Sequence, residues 1–162
     1  MGKEDDVESL VAWATQRTRE LYAGEIVAHR SCGIALAQTY GRRHEPYQAL
    51  RRGGITGLGT CGAIRAGELI LGEIFGDPEP GGKTTESLRD AVLAYHERLR
   101  KMAGYPEDLA HQTCRQLTDP QGDFHSAKRH HFCTDLAANV SRALAETILE
   151  FGGTIEPVAL PE

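Results

Sequence analysis

Three stretches of the chain repeat apolar residues every three or four positions, and this periodicity constrains the fold more than any other feature. The stretches are Val7, Leu10, Val11, Ala14 and Leu21; Leu88, Ala91, Val92, Tyr95, Leu99 and Met102; and Leu136, Ala137, Val140, Leu144, Ile148 and Phe151. Residues at this spacing share one face of an α-helix, so each stretch predicts an amphipathic helix. No segment shows the alternation of a half-buried strand. The sequence therefore predicts an all-α protein.

A fourth apolar segment follows a glycine-rich loop. Five glycines occur between Gly53 and Gly62, and residues 62–76 carry few charges. A helix that is apolar on most sides is buried, so this segment predicts the central helix of a compact bundle of about five or six helices. A shorter helix is predicted at residues 31–41. The chain of 162 residues suits one domain, for which we expect residues 1–153, followed by a C-terminal tail at 154–162.

The charge balance excludes several classes of partner. Lys and Arg number 18 against 23 Asp and Glu, which gives a net charge of -5, so the chain lacks the basic surface typical of a nucleic-acid-binding protein. It has no apolar run of the ~18 residues that a membrane span needs. The acidic start of the chain is unlike a signal peptide, so we expect a cytoplasmic protein. A local basic cluster, formed by Arg42, Arg43, His44, Arg51 and Arg52, is typical of a solvated face.

The four cysteines are the most informative residues for function. They are Cys32, Cys61, Cys114 and Cys133. In a reducing cytosol such cysteines are metal ligands, redox thiols or buried apolar residues. The long intervals between them exclude the paired CxxC motif of zinc ribbons and thioredoxins and the CxxCH motif of c-type haem proteins. If the cysteines act together, only the tertiary fold can bring them together.

The loop before Cys61 spells G-L-G-T-C-G at residues 57–62, a formal match to the dinucleotide-binding fingerprint. That fingerprint requires flanking parallel strands, for which the surrounding sequence has no room. We interpret the glycines instead as a backbone that wraps closely around Cys61. Free N–H groups at the start of the following helix, near Gly59, Thr60 and Gly62, would stabilise a thiolate or an anionic cluster. These N–H groups predict that Cys61 has the lowest thiol pKa of the four cysteines. We also expect Cys133 and Cys32 to begin helices.

Histidines near two of the cysteines offer a different site. His111 lies three residues before Cys114, and His131 lies two residues before Cys133. Zinc accepts both donor types in a tetrahedral site, so a mixed histidine–cysteine zinc site is the alternative metal hypothesis. The GxSxG, HExxH and P-loop motifs do not occur. A cysteine nucleophile with a histidine base stays open, because such pairs are formed in space rather than in sequence. No catalytic residue is predicted.

The order of the cysteines resembles the C_GCAxxG_C_C family of redox-active proteins. The central element of that family resembles the segment from Cys61 to Ala66, in which Ala66 replaces a glycine. The other three characteristic cysteines resemble Cys32, Cys114 and Cys133, and the resemblance extends over roughly residues 25–150. A related domain in cytochromes of the split-Soret type has four cysteines that look like an iron–sulfur site.

The resemblance implies a helical redox or electron-transfer protein in which the four cysteines hold an iron–sulfur cluster. A [2Fe–2S] cluster is preferred to a mononuclear iron or zinc. The expected partner is a redox protein of unknown identity, and a homodimer is possible; neither a nucleic acid nor a membrane is expected. The alternatives are a metal-free thiol–disulfide redox protein and a zinc-stabilised structural or interaction module.

Overall fold

The computed structural model describes residues 2–162, and its architecture is entirely helical. The α-helices are α1 (Lys3–Ala23), α2 (Cys32–Thr39), α3 (Arg51–Gly54), α4 (Gly62–Phe75), α5 (Glu86–Arg100), α6 (Cys114–Thr118) and α7 (Ala127–Glu150). Short 3-10 segments occur at Glu45–Leu50, Leu109–His111 and Asp119–Gln121. Within residues 2–162 no strand forms, and one isolated bridge joins Thr60 to Thr113. The all-α prediction is confirmed.

The longest helices, α1 and α7, pack against each other along the apolar stripes that the sequence predicts. A polar network crosses this otherwise apolar contact. The Thr18 hydroxyl lies 2.8 Å from the Thr39 hydroxyl and donates to Ser141 Oγ at 2.8 Å. Ser141 in turn donates to the carbonyl of Ala14. Because each hydroxyl has a partner, the network joins α1, α2 and α7 without leaving these buried hydroxyls unsatisfied.

Helix α4 lies against α2, α5 and α7, as expected for a central helix. Most of its first ten residues are buried. At Gly67 a Cβ atom would overlap the Tyr95 hydroxyl. Tyr95 itself is fully buried and donates to the carbonyl of Ile64 at 3.0 Å. Gly67 therefore lets α5 approach α4 closely enough to satisfy a buried tyrosine.

Helix α7 begins earlier than the sequence predicts. Its N-cap is Ser126, whose hydroxyl accepts a hydrogen bond from the N–H of Arg129 at 3.1 Å. The prediction that Cys133 begins this helix is therefore wrong, since Cys133 lies in its second turn. The sequence pattern does not predict the first turn, because the polar residues 128–131 interrupt the apolar stripe on which the prediction depends.

The last residues have no helix but contact the bundle. Ile155 is 7% exposed and belongs to the core, and Arg17 donates to the carbonyl of Val158. The tail at 154–162 is thus tied to α1 by a side-chain contact as well as by burial. None of the helices in residues 2–162 combines the length and hydropathy of a membrane-spanning segment.

Candidate functional site

All four cysteines line a single cavity of about 390 Å³. Cys32 is the first residue of α2, Cys61 directly precedes α4, and Cys114 is the first residue of α6. Cys61 is buried, and the other three are partly exposed. The fold therefore brings together four side chains from four separate segments. It confirms that Cys32 begins a helix, and it shows the same position for Cys114.

The glycine-rich loop before Cys61 folds back on itself, so that Gly53 and Gly59 are in contact. The N–H of Gly59 donates to the carbonyl of Gly53 at 2.9 Å. A Cβ on Gly53 would lie 2.5 Å from the Gly59 oxygen and 2.6 Å from Cβ of Cys114. The backbone of Gly53 also has a φ of 64°, which favours glycine. The predicted close approach of backbone is therefore present, and it places the loop against Cys114.

Backbone hydrogen bonds hold Cys61 and Cys114 on adjacent segments. The N–H of Cys114 donates to Gly59 at 2.8 Å, and the N–H of Arg115 donates to Gly57 at 2.9 Å. Thr113 caps α6, because its hydroxyl accepts from the N–H of Gln116 at 3.0 Å. These contacts fix the start of α6 beside the start of α4.

A second glycine brings Cys32 next to Cys61. A Cβ on Gly62 would lie 3.0 Å from Sγ of Cys32 and 2.6 Å from the carbonyl oxygen of Leu50. Because Gly62 has no side chain, Cys32 at the start of α2 and the backbone of Leu50 can both lie against the start of α4. The thiols of Cys32 and Cys61 are consequently neighbours.

Burial and neighbouring thiols suppress ionisation of Cys61, Cys114 and Cys133. The Cys32 thiol and burial together hold the pKa of Cys61 well above its ordinary value, and the N–H groups of Ile64 and Ala63 only partly oppose them. Burial raises the pKa of Cys114 to about 11. The prediction that Cys61 has the lowest thiol pKa is therefore wrong. The expected N–H donors exist, but they are outweighed in a fully enclosed position.

Cys133 lies beside a hydrogen-bonded arginine–tyrosine pair. Arg129 is only 8% exposed, and its Nη1 donates to the Tyr22 hydroxyl at 2.7 Å. Its Nε donates to the carbonyl of Phe124. Burial raises the pKa of Cys133, and the neighbouring Arg129 opposes that increase. Arg129 therefore places a buried positive charge next to one thiol of the cavity.

The cavity is cationic and has no carboxylate among its lining residues within the described chain. Its arginines are Arg51, Arg52 and Arg129, and none of them forms an ion pair with a described Asp or Glu. The guanidinium carbons of Arg52 and Arg129 lie 3.9 and 4.0 Å from the centre of the Phe124 ring. Both arginines are thus held by the same aromatic side chain.

The basic cluster noted in the sequence divides into two parts. Arg42 pairs with Glu73 at 3.3 Å and Arg43 pairs with Glu45 at 3.6 Å, both on the surface. Arg51 and Arg52, in contrast, line the cavity at its exposed rim. Arg51 and Arg52 are exposed, as expected for a solvated face, and they also contribute to the rim of the cysteine cavity.

The histidines of the alternative zinc site do not line the cysteine cavity. His131 is exposed on α7, and His111 is exposed near His96, with ring centres 6.4 Å apart. Neither is among the residues that line the cavity, whereas His29 is. The sequence reasoning did not identify Tyr22, His29, Phe124 or Arg129 as site residues. One signal was present, since Arg129 and Cys133 are four residues apart and share a face of α7.

The four cysteines share a cavity but do not form a compact ligand cluster. In residues 2–162 no three His, Cys, Asp or Glu side chains converge as a metal-binding group. Mononuclear zinc requires every sulfur at about 2.3 Å from one centre. Ser31 Oγ is buried, lines the cavity and has no hydrogen-bond partner among the described residues. This hydroxyl is therefore an unsatisfied polar group in the wall of the cavity.

Comparison with known proteins gives one match. The model of a family described as "Putative redox-active protein (C_GCAxxG_C_C)" matches residues 29–147 and thus includes all four cysteines. No curated protein and no solved structure matches the chain significantly.

Proposed function

Because the chain belongs to the C_GCAxxG_C_C family of redox-active proteins, we propose that it transfers electrons through an iron–sulfur cluster held in the cysteine cavity. One observation carries the proposal: Cys32, Cys61, Cys114 and Cys133 lie far apart in sequence, yet all line one cavity. Four thiolates are the usual ligand set of [2Fe–2S] and [4Fe–4S] clusters. A [2Fe–2S] cluster is the preferred occupant.

The size of the cavity supports a cluster over a mononuclear ion. Its volume of about 390 Å³ far exceeds the ~30 Å³ that one water molecule occupies in the liquid. A group with several atoms can bridge thiolates that do not share one coordination centre. Zinc or mononuclear iron would require the four segments to close around a single point. When bound, the cluster would supply a one-electron couple.

The surrounding residues are suited to an anionic sulfur-rich group. The N–H groups of Ala63 and Ile64 lie at the Cys61 sulfur, and Arg129 lies at Cys133. Donors and positive charges near ligating sulfurs stabilise the reduced state and raise the potential. Ser31 adds a free hydroxyl beside Cys32. These residues would thus hold negative charge in the cavity while its apolar walls limit the access of water.

Anaerobic reconstitution tests the proposal. The purified chain is treated with ferrous iron, sulfide and a thiol, and iron, sulfide and visible absorption are then measured. We expect visible charge-transfer bands with equal amounts of iron and sulfide. Each single cysteine-to-serine substitution should reduce the iron content at least several-fold. The matched control is Leu136→Met, a volume-conserving change at a buried apolar residue that lines the same cavity and is not a proposed ligand. Iron retention that is unchanged in all four serine variants would contradict the proposal.

A thiol–disulfide redox function is the second candidate, and the proximity of Cys32 to Cys61 favours it. Oxidation would form one sulfur–sulfur bond between them and pass two electrons and two protons to an external disulfide, which would leave as two thiols. Equilibration of metal-free protein with glutathione disulfide, followed by peptide mass spectrometry, measures this reaction. A Cys32–Cys61 crosslink in colourless protein that does not retain iron would favour this function. A zinc-stabilised module would instead retain zinc without visible absorption.

A further inference from the structure

The cysteine cavity carries positive charge that the chain does not neutralise. The protein has a net charge of -5, yet three arginines and no carboxylate line this cavity among the described residues. Arg129 is 8% exposed; its guanidinium donates to the neutral Tyr22 hydroxyl and Phe124 carbonyl and lies against the Cys133 thiol, and it has no carboxylate partner in residues 2–162. Burying a cation without an anion is unfavourable, so the site is built for a negatively charged occupant.

The rim of the cavity adds a second guanidinium at a defined position. Arg52 has a φ of 53°, in the left-handed region that a residue with a side chain rarely adopts. Its guanidinium carbon lies 3.9 Å from the centre of the Phe124 ring, and that of Arg129 lies 4.0 Å from the same point. The two cations are therefore less than 8 Å apart, and Arg51 lines the same cavity. Each guanidinium group presents N–H donors that suit the oxygens of a carboxylate.

The rest of the wall is mainly apolar. It includes Leu117, Phe132, Leu136 and Ala137, with the exposed Ile55 at the rim. A cavity of about 390 Å³ falls in the size range of small-molecule sites. An inorganic ion would satisfy the arginines but would leave these side chains without contacts. The walls therefore favour an organic anion with an apolar body.

We propose that this cavity binds a small aromatic or aliphatic carboxylate, with its carboxylate at Arg51, Arg52 and Arg129 and its apolar body against the wall. Binding depends on the arginines and not on the cysteines. Ser31, whose buried hydroxyl has no partner among the described residues, supplies a further donor.

Calorimetric titration of the reduced, metal-free full chain with benzoate tests the proposal at low ionic strength. Two further probes separate charge from shape: benzamide has the same ring without the charge, and acetate has the charge without the ring. We expect benzoate to bind at least ten-fold more tightly than benzamide, because removing one partner of a charge-assisted hydrogen bond costs about a factor of ten or more. Benzoate should also bind more tightly than acetate, because acetate leaves the apolar wall without contacts. Equal binding of benzoate and benzamide would overturn the proposal.

Two arginine variants make the test specific. Arg52→Gln should weaken benzoate binding about ten-fold or more, and because Arg52 is exposed the variant should fold. Arg43→Gln is the matched control, since it removes the same charge from a surface arginine paired with Glu45, and it should leave binding unchanged. Equal affinities in the two variants, or an absence of benzoate binding to the wild-type chain, would overturn the proposal.

A cysteine variant distinguishes this proposal from the cluster. Cys61→Ser should lose iron on reconstitution and keep its affinity for benzoate when metal-free. Benzoate binding in a chain that never retains iron would support the carboxylate site and contradict the cluster. Iron retention without benzoate binding to the metal-free chain would support the cluster and contradict the carboxylate site.

Discussion

The environment of Cys61 illustrates how neighbouring residues reverse the expected chemistry of one side chain. Its sulfur has the helix-start N–H groups that favour a thiolate. It is also enclosed, and the thiol of Cys32 lies beside it. A thiolate in this position would lose its hydration, and the two N–H groups do not replace what water provides. The pKa of Cys61 is therefore raised well above its ordinary value.

Alkylation of the reduced, metal-free chain tests this reversal. We expect the pH midpoint for alkylation of Cys61 to lie above that of Cys114, since the pKa of Cys61 is raised further by Cys32. Replacing Cys32 by alanine should lower the Cys61 midpoint, because it removes the largest cause of the shift. The measurement is peptide mass spectrometry across pH, with each site fitted for its midpoint. In denaturant, the control, the midpoints should converge near the ordinary value of about 8.5. A Cys61 midpoint below that of Cys114 in folded protein would contradict the structure.

At the scale of an element, the glycine-rich loop is the part that assembles the site. Its two neighbouring glycines, Gly53 and Gly54, have φ values of 64° and 75°. A Cβ on Gly53 would meet the Gly59 carbonyl and Cys114, whereas a Cβ on Gly54 would meet nothing within 4 Å. Replacing Gly54 by alanine therefore measures the free-energy cost of the left-handed backbone alone, and replacing Gly53 adds the cost of a steric clash.

Gly53→Ala should destabilise the protein by about 3 kcal/mol or more, because it combines backbone strain with a backbone clash. Gly54→Ala should cost about 1 kcal/mol, from the left-handed conformation alone. Chemical denaturation measures both. We also expect Gly53→Ala, but not Gly54→Ala, to lower iron retention, since it would move Cys114. Equal losses of stability in the two variants would show that the loop is not packed as described.

At the scale of the whole molecule, residues of the C-terminal tail pack against the helical bundle. Ile155 is 7% exposed, and the carbonyl of Val158 accepts a hydrogen bond from Arg17 on α1. A segment without helix can contribute to stability when it buries an apolar side chain. The domain boundary at residue 153 stays a prediction, and substitutions in the tail can test it.

Ile155→Ala should lower the free energy of unfolding by about 2–4 kcal/mol, as expected for truncation of a buried isoleucine. Val158→Ala is the control. Val158 is 37% exposed and keeps its backbone carbonyl in the variant, so the change should be within about 0.5 kcal/mol. Thermal and urea denaturation measure both variants. A neutral Ile155→Ala would place the end of the folded domain before the tail.

The sequence by itself determined the long helices, because helical periodicity is a local property. Residues three and four apart must share a face wherever the chain is helical, so the stripes of α1, α5 and α7 could be identified without a structure. The cysteines and the glycine-rich loop could also be recognised, together with the loop's need for close backbone approach. The prediction for α7 was wrong at its start, since polar residues precede Cys133 there.

Only the tertiary structure decided which side chains meet at the cavity. Arg129 looks like a surface residue in a polar run, yet the packing of α7 against α1 buries it beside Tyr22 and Cys133. Arg51 and Arg52 line the cavity, whereas Arg42 and Arg43 pair with surface carboxylates; the position of α3 makes this difference. The sign of the pKa shift at Cys61 depends on the neighbouring Cys32 thiol and on burial by residues distant in sequence. Such contacts arise from the packing of separate segments, which no local pattern encodes.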